Sequence, residues 1–164
     1  MMFTKKIVAA AALAAASIAP AGAQAPLTEK NVSMKMAQMI IDGTIEQCTK
    51  DGYKVSVVIV DNAGLVRASL RGDGTNPHTM EFARMKAYTA RTRGQTSLEF
   101  MKLTDDPASA YLKQIPGVVA VGGGVPIKIG NVTMGAVGVS GAPGGEKDEV
   151  CANAGIAKVA ALLK

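Results

Sequence analysis

The sequence predicts a single α/β domain built on a largely antiparallel sheet. Two pairs of apolar runs are each joined by a short turn, which is typical of β-hairpins. Helical periodicity precedes the first pair and follows the second, so amphipathic helices are expected to cover the sheet. The chain has 164 residues, and a chain of this length can bury a full hydrophobic core as one domain.

The first 23 residues are typical of a signal peptide. Two lysines form a short basic region, and residues 7–19 form an Ala-rich apolar run that is shorter than the about 20 residues of a membrane-spanning helix. Small residues at 21–23 then offer a signal-peptidase site, so cleavage is expected before Gln24. The alternative, a retained anchor helix, is disfavoured by the short run and by Pro20.

The mature domain, residues 24–164, is therefore expected to be exported, either to a periplasm or out of the cell. The removed segment carries two of the 18 basic side chains and none of the 13 acidic ones, so the net charge falls from +5 to +3. The basic residues are scattered and aromatic residues are scarce. This pattern disfavours nucleic acid as a partner.

Four helices and five strands are predicted along the mature chain. Thr28 or Asn31 is expected to cap the first helix, and Asp61–Gly64 and Gly130-Asn131 supply the turns of the two hairpins. The predicted helices span residues 27–50, 78–92, 97–103 and 146–164. The predicted strands span residues 54–60, 65–70, 118–121, 125–129 and 132–139.

Cys48 and Cys151 are the only cysteines. In an oxidising compartment an even pair favours a disulfide, and two free buried thiols are the alternative. Cys48 lies near the end of the first predicted helix and Cys151 near the start of the last. If these helices lie side by side and antiparallel, the two cysteines meet, so we predict a disulfide between them.

The functional chemistry of the sequence centres on one histidine, His78, at the start of the second predicted helix. A single histidine excludes metal sites built from several histidines, and the absence of a CxxC motif disfavours structural zinc. The same helix carries Lys86, Tyr88 and Arg91. A histidine beside cations and an aromatic ring can hold a flat anionic cofactor such as haem. The alternative is a histidine at a helix start beside a solvated basic face.

Two glycine clusters, at residues 122–124 and 141–145, are the other candidate ligand-binding features. The second precedes a predicted helix, where backbone amides can cradle an anion. Neither cluster has the spacing of a phosphate-binding loop or a dinucleotide fingerprint. Tight turns or close backbone contacts are the simpler interpretation of both.

Three segments together resemble the GlcG/HbpS-like haem-binding family, which includes the C-terminal domain of PduO-type proteins. The first is residues 57–64, Val-Val-Ile-Val-Asp-Asn-Ala-Gly. The second is Arg71-Gly72-Asp73-Gly74, then His78-Thr79 and Arg84-Met85-Lys86-Ala87-Tyr88-Thr89-Ala90. The third is 122–127, Gly-Gly-Gly-Val-Pro-Ile, then 135–149, Gly-Ala-Val-Gly-Val-Ser-Gly-Ala-Pro-Gly-Gly-Glu-Lys-Asp-Glu. These segments span nearly all of the mature chain in order.

The resemblance implies a profilin-like three-layer α/β/α domain, symmetric homo-oligomers and, in some members, haem binding. On this basis we expect His78 to be the axial metal ligand of haem, Lys86 and Arg91 to face its propionates, and Tyr88 to contact its ring. Exported members of the family are associated with haem or redox sensing beside a membrane sensor. A membrane sensor is therefore a further expected partner.

Two other functions stay open. The domain can be a small enzyme or accessory protein of organic-acid or aldehyde catabolism, with Asp61 or Asp73 as acid/base, although both aspartates are more simply turn residues. It can also be a cofactor-free oligomeric interaction protein. Because the sequence has no GxSxG nucleophile motif and no other catalytic set, we expect a binding protein rather than an enzyme.

Overall fold

The computed structural model describes residues 25–164, and the predicted signal peptide lies outside the described residues. Within this range the chain forms four α-helices and four strands, which confirms the predicted α/β class. None of these helices is long and apolar enough to cross a membrane. The helices are α1 (Met34–Lys50), α2 (Thr79–Arg93), α3 (Ser97–Leu103) and α4 (Gly145–Ala157). The strands are β1 (Ser56–Val60), β2 (Val66–Arg71), β3 (Gly124–Ile129) and β4 (Val132–Ser140).

The four strands form one sheet in the order β2-β1-β4-β3, and every neighbouring pair is antiparallel. Both hairpins predicted from the sequence are present. The central strand β1 is buried along its whole length, whereas β2 is an edge strand and is mostly exposed. In the β1–β4 ladder Ser56 lies opposite Ser140, so both side chains point to the same face of the sheet.

The helices lie on both faces of the sheet, which confirms the three-layer α/β/α arrangement. On one face α1 and α4 cover a core of mainly aliphatic side chains from these two helices and from β1, β3 and β4, which includes Ile40, Ile59 and Val137. On the other face α2 packs through alanines, including Ala83 and Ala87, onto β1 and β4. Because these side chains are small, the α2 backbone approaches β4 closely.

Helices α1 and α4 are antiparallel and in close contact. A Cβ atom at Gly155 would overlap the Thr44 side chain and the Ile40 carbonyl oxygen, so only glycine fits at this crossing. One turn away, Cys48 and Cys151 form a disulfide with a Cα–Cα distance of 5.4 Å. Both cysteines are completely buried. The predicted pairing is thus present in the structure, with the predicted helix geometry.

The first and last predicted helices were too long. Helix α1 begins at Met34 and is capped by Ser33, not by Thr28 or Asn31, because the Asn31 side chain instead accepts hydrogen bonds from the Val32 and Asn62 amides. Helix α4 ends at Ala157, and a 3₁₀ turn over Ala160–Leu162 follows.

One of the five predicted strands, residues 118–121, is absent from the described sheet. This apolar segment runs along α2 instead, where the Thr89 hydroxyl accepts a hydrogen bond from the Val119 amide at 2.8 Å. The Val119 amide therefore bonds to a side chain rather than to a neighbouring strand.

Candidate functional site

An open cleft of about 290 Å³ lies between the start of α2 and the glycine-rich loop that joins β4 to α4. Its position follows from the fold, since α2 and α4 lie on opposite faces of the sheet and both begin at this end of β4. The cleft is lined by Asn76, His78, Thr79, Phe82, Lys86, Val121, Ser140, Gly141, Ala142, Gly144, Gly145 and Asp148.

His78 stands at the mouth of the cleft. It immediately precedes α2, its side chain is exposed, and it makes no capping hydrogen bond with the helix. The imidazole packs edge-on against the Phe82 ring, with 5.5 Å between ring centroids and 85° between planes. This contact orients the ring while leaving its nitrogens accessible. The arrangement suits a histidine that binds a ligand from solvent.

A buried ion pair forms the floor of the cleft. The Lys86 ammonium lies 2.7 Å from Asp148 Oδ2, and each side chain is only 3% exposed. Lys86 Nζ also donates to the Val139 carbonyl oxygen at 3.0 Å, and Asp148 Oδ1 accepts from the Ala142 amide at 3.0 Å. The pair therefore ties α2 to the end of β4 and to the following loop.

Burial raises the pKa of the Asp148 carboxyl above its ordinary value. The charge of Lys86 and its hydrogen bond oppose that rise, as does the bond from the Ala142 amide. Desolvation penalises a buried carboxylate unless a cation and hydrogen bonds compensate it. The carboxylate of Asp148 thus depends on Lys86 for its stability in the ionised form.

Two hydroxyl side chains, Thr79 and Ser140, line the inner wall of the cleft. The Ser56 and Thr79 hydroxyls share a buried hydrogen bond of 2.8 Å, and Thr79 also donates to the Asn76 carbonyl oxygen. Ser140, opposite Ser56 in the sheet, is 5% exposed and faces the cleft.

The glycine clusters allow backbone segments to meet. A Cβ atom at Gly124 would overlap the Lys86 carbonyl group, and one at Gly145 would lie 2.6 Å from the Gly122 Cα atom. Close backbone contact, the simpler interpretation of both clusters, therefore accounts for these two glycines. The second cluster also lines the cleft, through Gly141, Gly144 and Gly145.

The four predicted haem-site residues do not come together in one place. His78 and Lys86 line the cleft, but Tyr88 and Arg91 do not. The Tyr88 ring instead lies against Gly64 and Gly117. Ten to thirteen helical residues separate Tyr88 and Arg91 from His78, which corresponds to about 15–20 Å along the axis of α2.

Lys86 lies at the floor of the cleft. Its ammonium group is buried and paired with Asp148 rather than exposed at the surface of the helix. On the exposed side of α2, Arg84 is likewise engaged, since it makes two hydrogen bonds to Glu81 that lower the pKa of that carboxyl. Lys86 is thus a structural part of the cleft floor.

Asp61 and Asp73 were the alternative catalytic residues. Asp61 Oδ1 accepts hydrogen bonds from the Ala63 and Leu65 amides, both at 3.0 Å, so it organises the β1–β2 turn. Asp73 lies on the wall of a larger cavity of about 590 Å³ between the end of α1 and β2. That cavity contains neither His78 nor the buried ion pair, and we therefore place the candidate site at the smaller cleft.

Residues 25–164 contain no cluster of three or more His, Cys, Asp or Glu side chains that could hold a metal ion.

Sequence reasoning missed Asp148 and Ser140. Asp148 lies in the first turn of the last predicted helix, where an acidic residue is favourable without any further role. Lys86 carried a usable signal, because it shares the buried face of α2 with Ala83, Ala87 and Ala90. A lysine on an alanine face needs a buried anion, and that requirement could have prompted a search for its partner.

A family model described as "Haem degrading protein HbpS-like" matches residues 32–157. The chain belongs to the HbpS-like family. The GlcG protein of Escherichia coli K12 is 29% identical over 113 residues, which cover 69% of this chain and 84% of GlcG.

Solved structures agree with this membership. A double mutant of HbpS from Streptomyces reticuli is 34% identical, with a TM-score of 0.78, and the match covers 88% of this chain and 97% of that one. A PduOC–haem complex shares the fold with a TM-score of 0.71 at 23% identity, over 79% of this chain and 95% of that one. The family resemblance inferred from the three sequence segments is confirmed.

Proposed function

We propose that the mature protein is an exported haem-binding protein and that His78 is the axial ligand of the iron. The observation that carries this proposal is the position of His78, the only histidine, at the mouth of the cleft with an accessible imidazole. Membership of a family described by its action on haem supports the choice of ligand. PduOC, which shares the fold, was solved as a haem complex.

The surroundings of His78 fit a haem ligand. Phe82 and Val121 give the cleft an apolar wall, against which a flat macrocycle can pack. Phe82 also restricts the imidazole orientation through its edge-on contact. An iron porphyrin supplies redox and ligand-binding chemistry at its metal. The protein supplies the imidazole and the apolar side chains of Phe82 and Val121.

A haemin titration followed by the Soret absorption band tests the proposal. We expect a saturable shift of the band with wild-type protein and a different spectrum, or much weaker binding, with His78→Ala. Tyr111→Ala is a matched control, because Tyr111 has a ring that is 65% exposed and lies outside the cleft. Identical spectra for wild type and His78→Ala would exclude His78 as the iron ligand, and the absence of any Soret shift would exclude haem binding.

Export belongs to the same proposal. A signal peptide over residues 1–23 would deliver a single domain, residues 24–164, to an oxidising compartment, where the Cys48–Cys151 disulfide can persist. Intact mass spectrometry of protein recovered after export should give a chain that begins at Gln24. A chain that still carries Met1 would contradict cleavage.

We also propose that the domain forms a symmetric homo-oligomer and acts beside a membrane sensor. Support comes from family membership. Light scattering of the purified protein should report more than one copy at micromolar concentration. A monomer would contradict the oligomer, and failure to co-purify any membrane protein with the tagged chain from its native membranes would count against the sensor partner.

Catalysis on a small organic acid or aldehyde is the less supported alternative. Its proposed acid/base Asp61 is occupied by two backbone amides in a turn, and Asp73 lies away from the cleft. Haem binding uses the accessible histidine directly and needs no additional catalytic group.

A further inference from the structure

The N-terminus of α4 opens into the cleft without a side-chain cap. Gly144 precedes the helix and makes no side-chain capping bond, and both Gly144 and Gly145 line the cleft. The Lys147 and Asp148 amides bond to the Gly144 carbonyl oxygen. The amides of Gly145 and Glu146 have no acceptor among residues 25–164. Such amides carry partial positive charge at a helix start.

Ser140 provides a second, independent observation. The residue is only 5% exposed and lines the same cleft. Its hydroxyl has no hydrogen-bond partner in the part of the chain that the structure describes, whereas the Ser56 hydroxyl beside it is bonded to Thr79. The small exposed part of Ser140 lies at the cleft, so its hydroxyl is free to bond a ligand atom there.

Lys86 adds a third donor at the floor of the cleft. Its ammonium group donates to the Val139 carbonyl oxygen and to Asp148 Oδ2. An ammonium group has three N–H donors, so one remains for a ligand. Amides, a hydroxyl and an ammonium donor around one cleft form a site for an acceptor with negative charge.

We propose that this cleft binds a small carboxylate through the Ser140 hydroxyl, the Gly145 and Glu146 amides, and Lys86. Asp148 compensates most of the charge of Lys86, and Glu146 adds an exposed carboxylate nearby. A single negative charge is therefore tolerated better than the double charge of phosphate. The cleft of about 290 Å³ lies at the low end of ligand-site volumes, so it can hold a small acid whole or the carboxylate end of a larger ligand.

The carboxylate can come from two sources, a free organic acid or a propionate of haem. The site itself does not depend on haem binding, because none of its donors comes from His78. Failure of the haem proposal therefore leaves this one standing, and the reverse also holds.

Acetate is the first probe. Sodium acetate is titrated into ¹⁵N-labelled full mature protein, with sodium chloride at equal ionic strength as the reference, and amide chemical shifts are followed by NMR. We expect saturable shifts at Gly145 and Glu146. Ser140→Ala should weaken acetate binding about tenfold, the loss of one hydrogen bond to a charged group. Ser69→Ala, an exposed serine on the edge strand β2, should leave binding unchanged.

Inorganic phosphate at neutral pH is the second probe, and haemin with its dimethyl ester is the third. Acetate should bind more tightly than phosphate. If Ser140→Ala weakens binding of haemin but not of the ester, the carboxylate is a haem propionate; if it affects only acetate, the ligand is a free acid. Tighter binding of phosphate, an unchanged acetate affinity in Ser140→Ala, or no saturable shift at Gly145 and Glu146 would overturn the proposal.

Discussion

Lys86 on α2 and Asp148 on α4 form an ion pair of 2.7 Å at the floor of the cleft, with both side chains 3% exposed. Through Val139 and Ala142 the pair also fixes the loop on the far side of the cleft. The cleft therefore keeps its shape through two charges that lie 62 residues apart in the sequence.

Replacing Lys86 by Met should destabilise the domain by about 3–5 kcal/mol at neutral pH, because a buried carboxylate is left without its cation. Chemical denaturation measures this free energy of unfolding. The double variant Lys86→Met/Asp148→Leu should recover much of the loss, since no buried charge remains. A Lys86→Met variant as stable as wild type would contradict the structural role of the pair.

The cost of Lys86→Met should also depend on pH. Burial already raises the pKa of Asp148 above its ordinary value of 3.8, and loss of Lys86 removes attractions that hold it down. A carboxyl whose pKa is higher in the folded than in the unfolded state contributes its full stability below the unfolded-state pKa, about pH 4. This stability is lost as the pH rises through the folded-state pKa. The stability gap between wild type and Lys86→Met should therefore be small near pH 4 and widen towards pH 7. A gap independent of pH would contradict this origin.

The Cys48–Cys151 disulfide should stabilise the domain without being essential for folding. It closes a loop of 103 residues, for which chain entropy gives an upper figure of about 4.7 kcal/mol. Cys48→Ala/Cys151→Ala should lower Tm while keeping a cooperative transition in thermal denaturation. Two alkylated thiols in unreduced protein taken after export would show that the bond does not form there.

Gly155→Ala should be strongly destabilising because α1 leaves no room for a Cβ atom at the helix crossing. Overpacking of this kind costs about 1–3 kcal/mol or more. Gly130→Ala is the comparison: nothing lies within 4 Å of its Cβ position and its φ is +54°, so only the backbone cost of about 1 kcal/mol is expected. Equal free energies of unfolding for the two variants would contradict the close helix contact.

Local signals in the sequence predicted the hairpins and the Cys48–Cys151 pairing, and the family resemblance implied the three layers. Turn residues and apolar periodicity act over short distances along the chain. If the first and last helices are antiparallel neighbours, the end of one lies beside the start of the other, which brings Cys48 and Cys151 together. Helix ends were predicted less well. The Asn31 side chain, for example, accepts a hydrogen bond from the Asn62 amide instead of capping α1, and this contact depends on the tertiary fold.

The candidate site could be predicted only in part. His78 was identified because it is the only histidine and begins a helix. Asp148 and Ser140 were missed because their roles depend on which residues face them across the sheet and between helices. Tyr88 and Arg91 share a helix with His78, but the length of α2 separates them from the cleft.

A crystal structure of the mature protein with haemin is the most direct test of the account. It should place the iron within bonding distance of the His78 imidazole, about 2 Å for a nitrogen ligand, with the macrocycle against Phe82 at the mouth of the cleft. Iron bound by another residue, or haem seated away from His78, would contradict the central claim.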